Sequence, residues 1–267
     1  MMKRLLAGIV MITGLTAQAH AQEKNLRVCF GEYDAPRADK ASGKGFDMDV
    51  MGAVAVRLGR TLQSVWVEQE AKMTEAERSD LPLPELSRGQ CDAVASVPGK
   101  DSLGVKGVLR LGKPYYGAGF EFVAAPGGPK NFSEMKGKNI VIQYMTVGHL
   151  AAQAAGFTWI GATSPEGQIA ELQAGRADAA LVWGPSLGPL KRVPQTGTVP
   201  AEVLRWNEHV ATRESDAELG QAIDTALGEM LASGEIAGLM NAHGIPPHAP
   251  FDSVFNQISL LKLQLHR

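Results

Sequence analysis

Apolar runs of strand length alternate along the chain with segments whose apolar residues recur at helical spacing. Residues 26–30 and 61–67 form runs typical of strands, and residues 45–58 between them repeat apolar positions every three or four residues. The apolar residues on one face of this predicted helix are Phe46, Val50, Met51, Val54 and Leu58. Strands that alternate with helices indicate parallel sheets covered on both faces, so the pattern predicts an α/β fold.

One short sequence occurs twice in similar form. Residues 84–96 read PELSRGQCDAVAS and residues 170–182 read AELQAGRADAALV, with Glu, Leu, Gly, Asp and Ala in the same order and spacing. Each copy predicts a helix end, a glycine suited to a left-handed C-cap, and then a buried strand. A chance match of common residues is the alternative. We interpret the repeat as two similar α/β units that face each other across a cleft, since ligands bind beyond the carboxyl ends of such strands.

The order of the predicted elements divides the chain into two lobes. The second unit has a predicted strand at 139–143, a helix at 147–155, a strand at 157–161 and a helix at 166–174. Residues 112–125 contain tyrosines, glycines and a strand-like run at 120–123, which suits a crossing between lobes, and residues 202–212 are the candidate return. The predicted domains are a signal peptide at 1–21, the first part of lobe 1 at 22–118, lobe 2 at 119–206, and a return to lobe 1 with C-terminal helices at 207–267.

Two amphipathic helices are predicted near the C-terminus. The apolar face of residues 216–232 contains Leu219, Ile223, Leu227, Met230 and Leu231. Ser215 or Asp216 is the predicted cap of this helix. The apolar face of residues 253–265 contains Val254, Phe255, Ile258, Leu261 and Leu265. This last helix is expected to pack against a lobe, and the alternative is that it forms a partner surface.

The N-terminus has the pattern of a secretory signal peptide. Lys3 and Arg4 precede the apolar stretch 5–15, and Ala19-His20-Ala21 provides a cleavage site with small residues. A short core helix is the alternative interpretation. We expect export, with a mature chain that begins at Gln22 and lies in the periplasm of a Gram-negative host. No other stretch approaches the roughly 20 apolar residues of a membrane span, so none is predicted.

Charge and cysteine content narrow the functional classes. A net charge of -2 offers no basic stripe for nucleic acid and no polybasic membrane patch. The scattered histidines predict no metal site, and no cofactor is expected. An exported chain favours a bond between its two cysteines, Cys29 and Cys91, although two free buried thiols remain an alternative.

Six segments, in this order along the chain, resemble the type II periplasmic solute-binding proteins. They are GKGFDMDVMGAVAVRLG (43–59), LSRGQCDAVAS (86–96), GKPYYGAGFEFVAA (112–125), MKGKNIVIQYMTVGHL (135–150), LQAGRADAALV (172–182) and LGEMLASGEIAGLMNAHGI (227–245). The resemblance implies a two-lobed fold that closes about a hinge on a small solute and hands it to a membrane transporter. It also implies that the strands carrying Cys29 and Cys91 lie side by side, which predicts the disulfide.

The amino-acid receptors of this family hold the ligand carboxylate with an arginine after the first repeat strand and the ligand amine with an aspartate after the second. Here residues 97–101 contain no arginine, and Trp183-Gly184-Pro185 replaces the acid. Bidentate arginine is the efficient means of binding a carboxylate. We therefore expect that ordinary amino acids do not bind, although Lys100 could meet an anionic group.

The segment VWGPSLGPL (182–190) is similar to a narrower group, the J-type accessory proteins encoded beside periplasmic quinoprotein methanol and alcohol dehydrogenases. That group shares a cysteine in the first strand and another before the Asp of the first repeat, as at Cys29 and Cys91. This chain departs from the group in a shorter loop after Gln143 and in Pro189, where the group has an aromatic residue.

The predicted cleft residues follow strand ends and motifs of the family. They are Tyr33, Phe46, Ser96, Lys100, Tyr115, Tyr144, Thr146 and Trp183. The alternative for the aromatic members is packing: beneath a loop for Tyr33, inward for Tyr115 or Tyr116, and as a hydrophobic plug for Trp183. Asp47 is expected to stabilise free N–H groups at the start of its helix rather than to contact a ligand.

Three functional hypotheses follow. The first is an accessory protein of a periplasmic quinoprotein dehydrogenase. The second is the substrate-binding receptor of an ABC transporter, with a permease as partner and a small solute that is not an ordinary amino acid as ligand. The third, an enzyme on the same fold, is disfavoured because no catalytic motif occurs in the sequence.

Overall fold

We describe a computed structural model, which covers residues 24–68, 82–99, 107–129, 132–154, 156–190 and 204–252. The described strands are β1 (Asn25–Gly31), β2 (Tyr33–Asp34), β3 (Ala38–Asp39), β4 (Thr61–Val67), β5 (Ala93–Pro98), β6 (Leu109–Ala124), β7 (Asn139–Gln143), β8 (Thr158–Ala162), β9 (Ala179–Trp183) and β10 (Arg205–Arg213). The described α-helices are α1 (Phe46–Arg57), α2 (Pro82–Ser87), α3 (Val147–Ala154), α4 (Pro165–Gln173), α5 (Ala217–Ala232) and α6 (Glu235–Ala242). The predicted signal peptide and the predicted helix at 253–265 lie outside these residues.

Eight of these strands form one sheet in the order β4-β1-β5-β10-β6-β9-β7-β8. At one end β1 pairs in parallel with β4 and β5, and at the other end β7 pairs in parallel with β8 and β9. Between these two parallel units, β10 pairs antiparallel with β5 and β6, and β6 pairs antiparallel with β9. The predicted α/β fold with two parallel units is confirmed, and the boundaries of the lobes stay a prediction.

The strand β6 connects the two units and is longer than the sequence suggested. It spans 16 residues, whereas only the run 120–123 was expected to be a strand. Residues up to Gly119 pair with β10, and residues from Phe120 onward pair with β9. Because both parts have a strand partner, the sheet overrides the weak strand propensity of the glycines.

Both copies of the repeat have the predicted structure. In the first, α2 ends before Gly89, with φ 76°, and β5 follows; in the second, α4 ends before Gly175, with φ 70°, and β9 follows. A left-handed backbone at the end of a helix favours glycine, which has no Cβ to clash. The same sequence pattern therefore gives the same turn in both units, as two related α/β units require.

The aspartate of each repeat copy fastens its strand to the neighbouring strand in the same way. The backbone N–H groups of Asp92 and Asp178 donate to the carbonyls of Arg27 and Asn139, each at 2.8 Å. Their carboxylates accept from the N–H groups of these same two residues, at 3.0 and 2.8 Å. The repeated Asp is thus a structural residue at the entry to a parallel strand.

The predicted disulfide between Cys29 and Cys91 is confirmed, with a Cα–Cα distance of 5.6 Å. Cys29 lies in β1, as expected. Cys91, however, comes two residues before β5, because Asp92 forms the entry to that strand. The bond joins β1 to the turn that follows α2.

The predicted helical faces are buried. Phe46, Val50, Met51 and Val54 of α1 lie in the core, with Leu58 packed partly against it. In the second predicted helix, α5, Ile223, Leu227 and Met230 are buried, and Leu219 and Leu231 are partly buried. Asp216 occupies the N-cap position of α5 as predicted, without a hydrogen bond from its side chain to the helix. Among the described residues, no helix is both long and apolar enough to cross a membrane.

Candidate functional site

A buried hydrogen-bonded cluster lies where the first repeat strand, β5, ends. Ser96 Oγ donates to Asp47 Oδ1 at 2.8 Å and lies 2.7 Å from the hydroxyl of Tyr116. The hydroxyl of Tyr115 donates to the same Asp47 oxygen at 3.1 Å and accepts from the backbone N–H of Ser96, also at 3.1 Å. All four side chains are buried. We call these four residues the serine cluster.

Ser96 has a backbone conformation that is unfavourable for a residue with a Cβ. Its φ is 51°, in the left-handed region. Such a conformation persists where the surroundings determine it, and here the Ser96 hydroxyl and N–H group are both held by the tyrosines and Asp47. The end of β5 is therefore fixed inward, with its polar groups engaged within the protein.

Asp47 has a different role from the one expected of it. It lies in the first turn of α1, but its carboxylate accepts from Ser96 and Tyr115 instead of stabilising the free N–H groups of the helix. Phe46, the residue before it, packs edge-on against Tyr116 with ring centroids 5.1 Å apart. The start of α1 thus supplies one polar and one aromatic side chain to the same cluster.

Two further buried ionisable residues, Arg37 and Glu208, interact electrostatically with the serine cluster. Arg37, between β2 and β3, donates from Nη2 to Asp34 Oδ1 at 2.8 Å. Burial raises the pKa of Asp47 to about 6, against the opposing attraction of Arg37. Burial also raises the pKa of Glu208, on β10, to about 8, and the negative charge of Asp47 adds to this rise. At neutral pH Glu208 therefore keeps its proton, whereas Asp47 is mostly ionised.

An aromatic stack lies where the second repeat strand, β9, ends. The indoles of Trp183 and Trp206 are stacked, with centroids 4.7 Å apart and planes 16° apart. Phe120 packs against Trp183 at 5.7 Å, and Trp206 Nε1 donates to Glu208 Oε1 at 2.8 Å. The stack thus leads to Glu208, which interacts electrostatically with Arg37 and with Asp47 of the serine cluster.

A small cavity of about 20 Å³ lies beside the serine cluster. Its polar lining comes from Asp34, Arg37, Asp47 and Ser96, and its apolar lining includes Phe30 and Val94. A volume of this size has room for about one water molecule. The polar groups that could contact a ligand here, Arg37 and Asp47, already have partners within the protein.

The predicted site residues of the second unit lie at the turn between β7 and α3. The Thr146 hydroxyl donates to the carbonyl of Gln143 at 2.9 Å and accepts from the N–H of His149 at 3.2 Å, which caps the helix. Tyr144 is 47% exposed, and its ring packs edge-on against His149 and Trp159. The backbone N–H of Met145, which has φ 60°, donates to Nδ1 of His149 at 3.2 Å.

The structure brings some of the predicted residues together and leaves others apart. Phe46, Ser96 and Tyr115 meet in or beside the serine cluster, whereas Trp183 stacks on Trp206, which donates to Glu208. Tyr33 is 57% exposed at the start of β2, and Tyr144 and Thr146 belong to the turn after β7. Lys100 lies outside the described residues. No observation of a bound ligand tests these eight positions, so their role in binding stays a prediction.

Sequence reasoning did not identify Arg37, Trp206 or Glu208. Arg37 lies in a two-strand pair of very short strands that has no periodic signal. Trp206 and Glu208 lie in β10, whose sequence RWNEHVATR does not alternate between apolar and polar residues. One signal was available: charged side chains within the predicted return segment 202–212 are costly to bury, so they mark a place where specific partners are required.

Comparison with the sequences of known proteins finds two relatives of the same name. No protein-family model matches the chain. The chain is 32% identical over 109 residues to protein MoxJ of Paracoccus denitrificans, a match that covers 41% of this chain and only 35% of that protein. It is 22% identical to protein MoxJ of Methylorubrum extorquens over an alignment of 294 positions, gaps included, with 91% and 93% of the two chains covered.

Solved structures show the same fold. The crystal structure of MxaJ from Methlophaga aminisulfidivorans superposes with a TM-score of 0.64 at 22% identity, over 83% of this chain and 99% of that chain. The L-cystine solute receptor of Neisseria gonorrhoeae, in its unliganded open conformation, superposes with a TM-score of 0.66 at 24% identity, over 83% and 93%. The chain therefore has the two-lobed fold of the periplasmic solute-binding proteins, and the resemblance to type II solute-binding proteins and to the J-type proteins is confirmed.

Proposed function

We propose that this chain is an exported periplasmic protein that acts as an accessory partner of a quinoprotein methanol or alcohol dehydrogenase, and that it is not a receptor for ordinary amino acids. The proposal rests on the similarity to MoxJ proteins together with the J-type segment 182–190. The partner role is inferred from the resemblance. The structure supports the other half of the proposal, that ordinary amino acids do not bind in the cleft. On this proposal the lobes are those predicted from the sequence, with residues 22–118 and 207–267 in one and residues 119–206 in the other.

The observation that carries the proposal is how the ends of the two repeat strands are occupied. Amino-acid receptors of the family use these two places to bind the carboxylate and the amine of the ligand. Here the end of β5 is engaged in the serine cluster, and the end of β9 carries Trp183 stacked on Trp206. A zwitterion placed between them would bury two charges without partners, which costs several kcal/mol.

Arg37 does not restore the missing carboxylate site. Its guanidinium is buried, and both Nε and Nη2 donate to Oδ1 of Asp34, at 3.2 and 2.8 Å. A ligand carboxylate would have to replace Asp34 and also approach the Asp47 carboxylate, which lines the same cavity. The negative charges of the ligand carboxylate and of Asp47 would repel each other in this cavity, so the existing ion pair between Arg37 and Asp34 is favoured.

A thermal-shift screen tests the first half of the proposal. A ligand present at about 100 times its dissociation constant stabilises a protein by about 2.7 kcal/mol, which shifts the melting temperature by a few degrees for a chain of this size. We expect no shift with any of the standard amino acids. A reproducible shift with one of them would contradict the proposal and would favour a transport receptor.

A binding experiment tests the second half. The mature chain, immobilised through its C-terminus, is expected to retain a purified periplasmic quinoprotein alcohol dehydrogenase, and the cystine receptor of similar fold serves as the control bait. Equal retention on both baits, or none on either, would contradict the accessory role.

Mass spectrometry of the exported protein should give an N-terminus at Gln22, and a retained residue 1–21 segment would contradict the signal peptide.

The second candidate function is the substrate-binding receptor of an ABC transporter for a small solute other than an amino acid. The cavity beside the serine cluster favours it, because Arg37, Asp47 and Ser96 line a polar space at the carboxyl end of β5, where ligands bind in open parallel sheets. The same thermal-shift screen, extended to alcohols, aldehydes and small organic acids, distinguishes this function. A shift with one of these solutes, without retention of the dehydrogenase, would favour transport.

A further inference from the structure

Residues 246–251 follow α6 and fold back across the middle of the sheet, and we call them the C-terminal strap. The backbone N–H of Gly117, in β6, donates to the carbonyl of His248 at 2.9 Å, which forms a single antiparallel bridge. The amide of Asn207, in β10, binds the backbone of Phe251 on both sides: Nδ2 donates to the carbonyl at 2.9 Å, and Oδ1 accepts from the N–H at 2.8 Å. The strap is therefore attached by its backbone to both central strands.

The strands have space for the strap because β6 carries glycine where the strap approaches. A Cβ at Gly117 would lie 2.5 Å from Cε2 of Phe251 and 2.8 Å from the carbonyl oxygen of Ala249. Any larger side chain at Gly117 would therefore displace the strap. On the neighbouring strand, the guanidinium of Arg205 lies over the Phe251 ring, 5.0 Å from its centroid, at a distance suited to a cation–π contact.

The strap also reaches the part of β6 that belongs to the second unit. His248 Nε2 lies 2.6 Å from Oε1 of Glu121, and Glu121 pairs with Val182 of β9. The Glu121 side chain is only 3% exposed, and within the described residues its other oxygen, Oε2, has no hydrogen-bond partner. Removal of His248 would thus leave a buried carboxylate without this partner, which is costly.

We propose that the C-terminal strap is a latch that holds the two lobes at a fixed angle. Gly117 and Gly119 lie where β6 changes its partner from β10 to β9, and glycines in a strand between two lobes would otherwise allow the backbone to bend. The strap joins both sides of this point through Asn207 and Glu121. Rotation of one lobe against the other must break these contacts first. This inference does not depend on the proposed partner.

The distance between the lobes, measured with two spin labels, tests the latch. Labels at V56C on α1 and Q173C at the end of α4 occupy exposed positions in the two units. Both native cysteines form the disulfide, so the introduced thiols are the sites for labelling. We expect a single narrow distance distribution in the otherwise native chain. Gly117→Val displaces the strap, and Phe251→Ala removes the ring that packs against Gly117 and Arg205; each is expected to broaden the distribution or shift it by several ångströms.

Controls separate a released latch from general damage. Gly228→Ala in α5 adds a Cβ that meets nothing within 4 Å, so the matched variant should leave the distribution unchanged. If Gly117→Val does not fold, Phe251→Leu and Glu121→Gln provide milder changes on the two sides of the contact, and circular dichroism reports their native content. Folded variants with the same distance distribution as the native chain would overturn the latch, since the strap would then only cover the sheet.

Discussion

The two repeat copies fold alike but are fastened differently. In each, an aspartate at the strand entry exchanges backbone and side-chain hydrogen bonds with the first residues of the neighbouring strand. Around this shared contact the first unit adds a disulfide between Cys29 and Cys91. The aligned positions of the second unit are Val141 and Ala177, which are buried in an apolar cluster. The aspartate contact is therefore common to both units, and the covalent bond is an addition to it in the first unit.

The charges around the two aspartates differ as well. Asp92 accepts from Arg27 Nη2 at 2.6 Å and from Arg213 Nη2 at 3.4 Å, and the hydrogen bonds from Arg27 and Arg213 lower its pKa against the opposing effect of burial. Asp178 is half-buried and forms no ion pair with a described residue. The second unit instead has a buried amide, Gln168, whose Nε2 donates to the carbonyls of Val141 and Leu181 at 3.3 and 2.7 Å. The first unit thus has a disulfide and ion pairs at the place where the second unit has apolar packing and the hydrogen bonds of a buried amide.

Removal of the disulfide is expected to give the largest effect. The variant with C29A and C91A should lose about 4 kcal/mol of unfolding free energy in the loop-entropy model, because the bond closes a loop with a sequence separation of 62. Urea unfolding of the variant and the native chain measures this difference. A loss below about 1 kcal/mol would mean that the first unit is held by the same contacts as the second.

The aspartates provide a matched pair of substitutions. Asp92→Asn should cost about 3 kcal/mol, because it leaves Arg27 and Arg213 without the buried anion between them. Asp178→Asn retains an acceptor for the Asn139 N–H group and should cost less than about 1 kcal/mol. The same urea titration measures both. Equal costs would show that the ionic contacts add nothing to the shared backbone contact.

The pattern of hydrophobic residues was enough to predict most elements of both units. The strands β4 and β7 have the expected bounds, α1 and α4 differ from expectation by one residue at each end, and α3 begins at Val147 as predicted. These elements have clear periodicity and local end signals, such as Ser164, which caps α4 by accepting from the N–H of Gly167. The strand β8 begins one residue later than predicted, at Thr158. Local signals therefore determine these particular elements to within about one residue, whereas β6 was extended by its strand partners.

The candidate site was less predictable because its contacts are distant in sequence. Asp47 was interpreted from its place at the start of a helix, yet its partners Ser96 and Tyr115 lie 49 and 68 residues away. Arg37 and Glu208 are brought to the cluster by β2, β3 and β10, none of which has a periodic signal. A sequence rule considers only neighbouring residues, so it predicted that Asp47 would stabilise the free N–H groups of its own helix. In the structure, contacts with residues distant in sequence take the place of that local contact.

The ends of the two repeat strands should respond differently to pH. The folded pKa of Asp47 is about 6, above the ordinary value of 3.8, so its contribution to stability is full below about pH 4 and is lost as the pH rises through about 6. Asp47→Asn keeps an acceptor for Ser96 and Tyr115 but does not ionise. It should therefore be more stable than the native chain at pH 8, by on the order of 2 kcal/mol, and not at pH 4.

Unfolding curves at pH 4, 6 and 8 measure this effect, and the difference between variant and native chain removes the titration of all other groups. Trp183→Phe, at the end of β9, is the control at pH 4 and 6, where its loss should be the same, because Trp183 does not titrate and Glu208, which accepts from the stacked Trp206, stays protonated below its pKa of about 8. A pH-independent difference for Asp47→Asn would mean that the Asp47 carboxyl is hydrated in solution and that the serine cluster is open to water.

The smallest expected effect comes from giving the second unit the bond of the first. Val28 is level with Ala93 in the first unit, as Ile140 is with Ala179 in the second, so Val141 and Ala177 occupy the positions of Cys29 and Cys91. The variant with V141C and A177C should form a disulfide without rearrangement of the backbone. The closed loop is shorter, and the bond replaces well-packed apolar groups, so the gain should be about 1 kcal/mol. Mass spectrometry under non-reducing conditions detects the bond, and urea unfolding with and without reductant measures the gain. If the bond does not form, the two units differ in geometry at this contact, and the aspartate exchange alone does not make them equivalent.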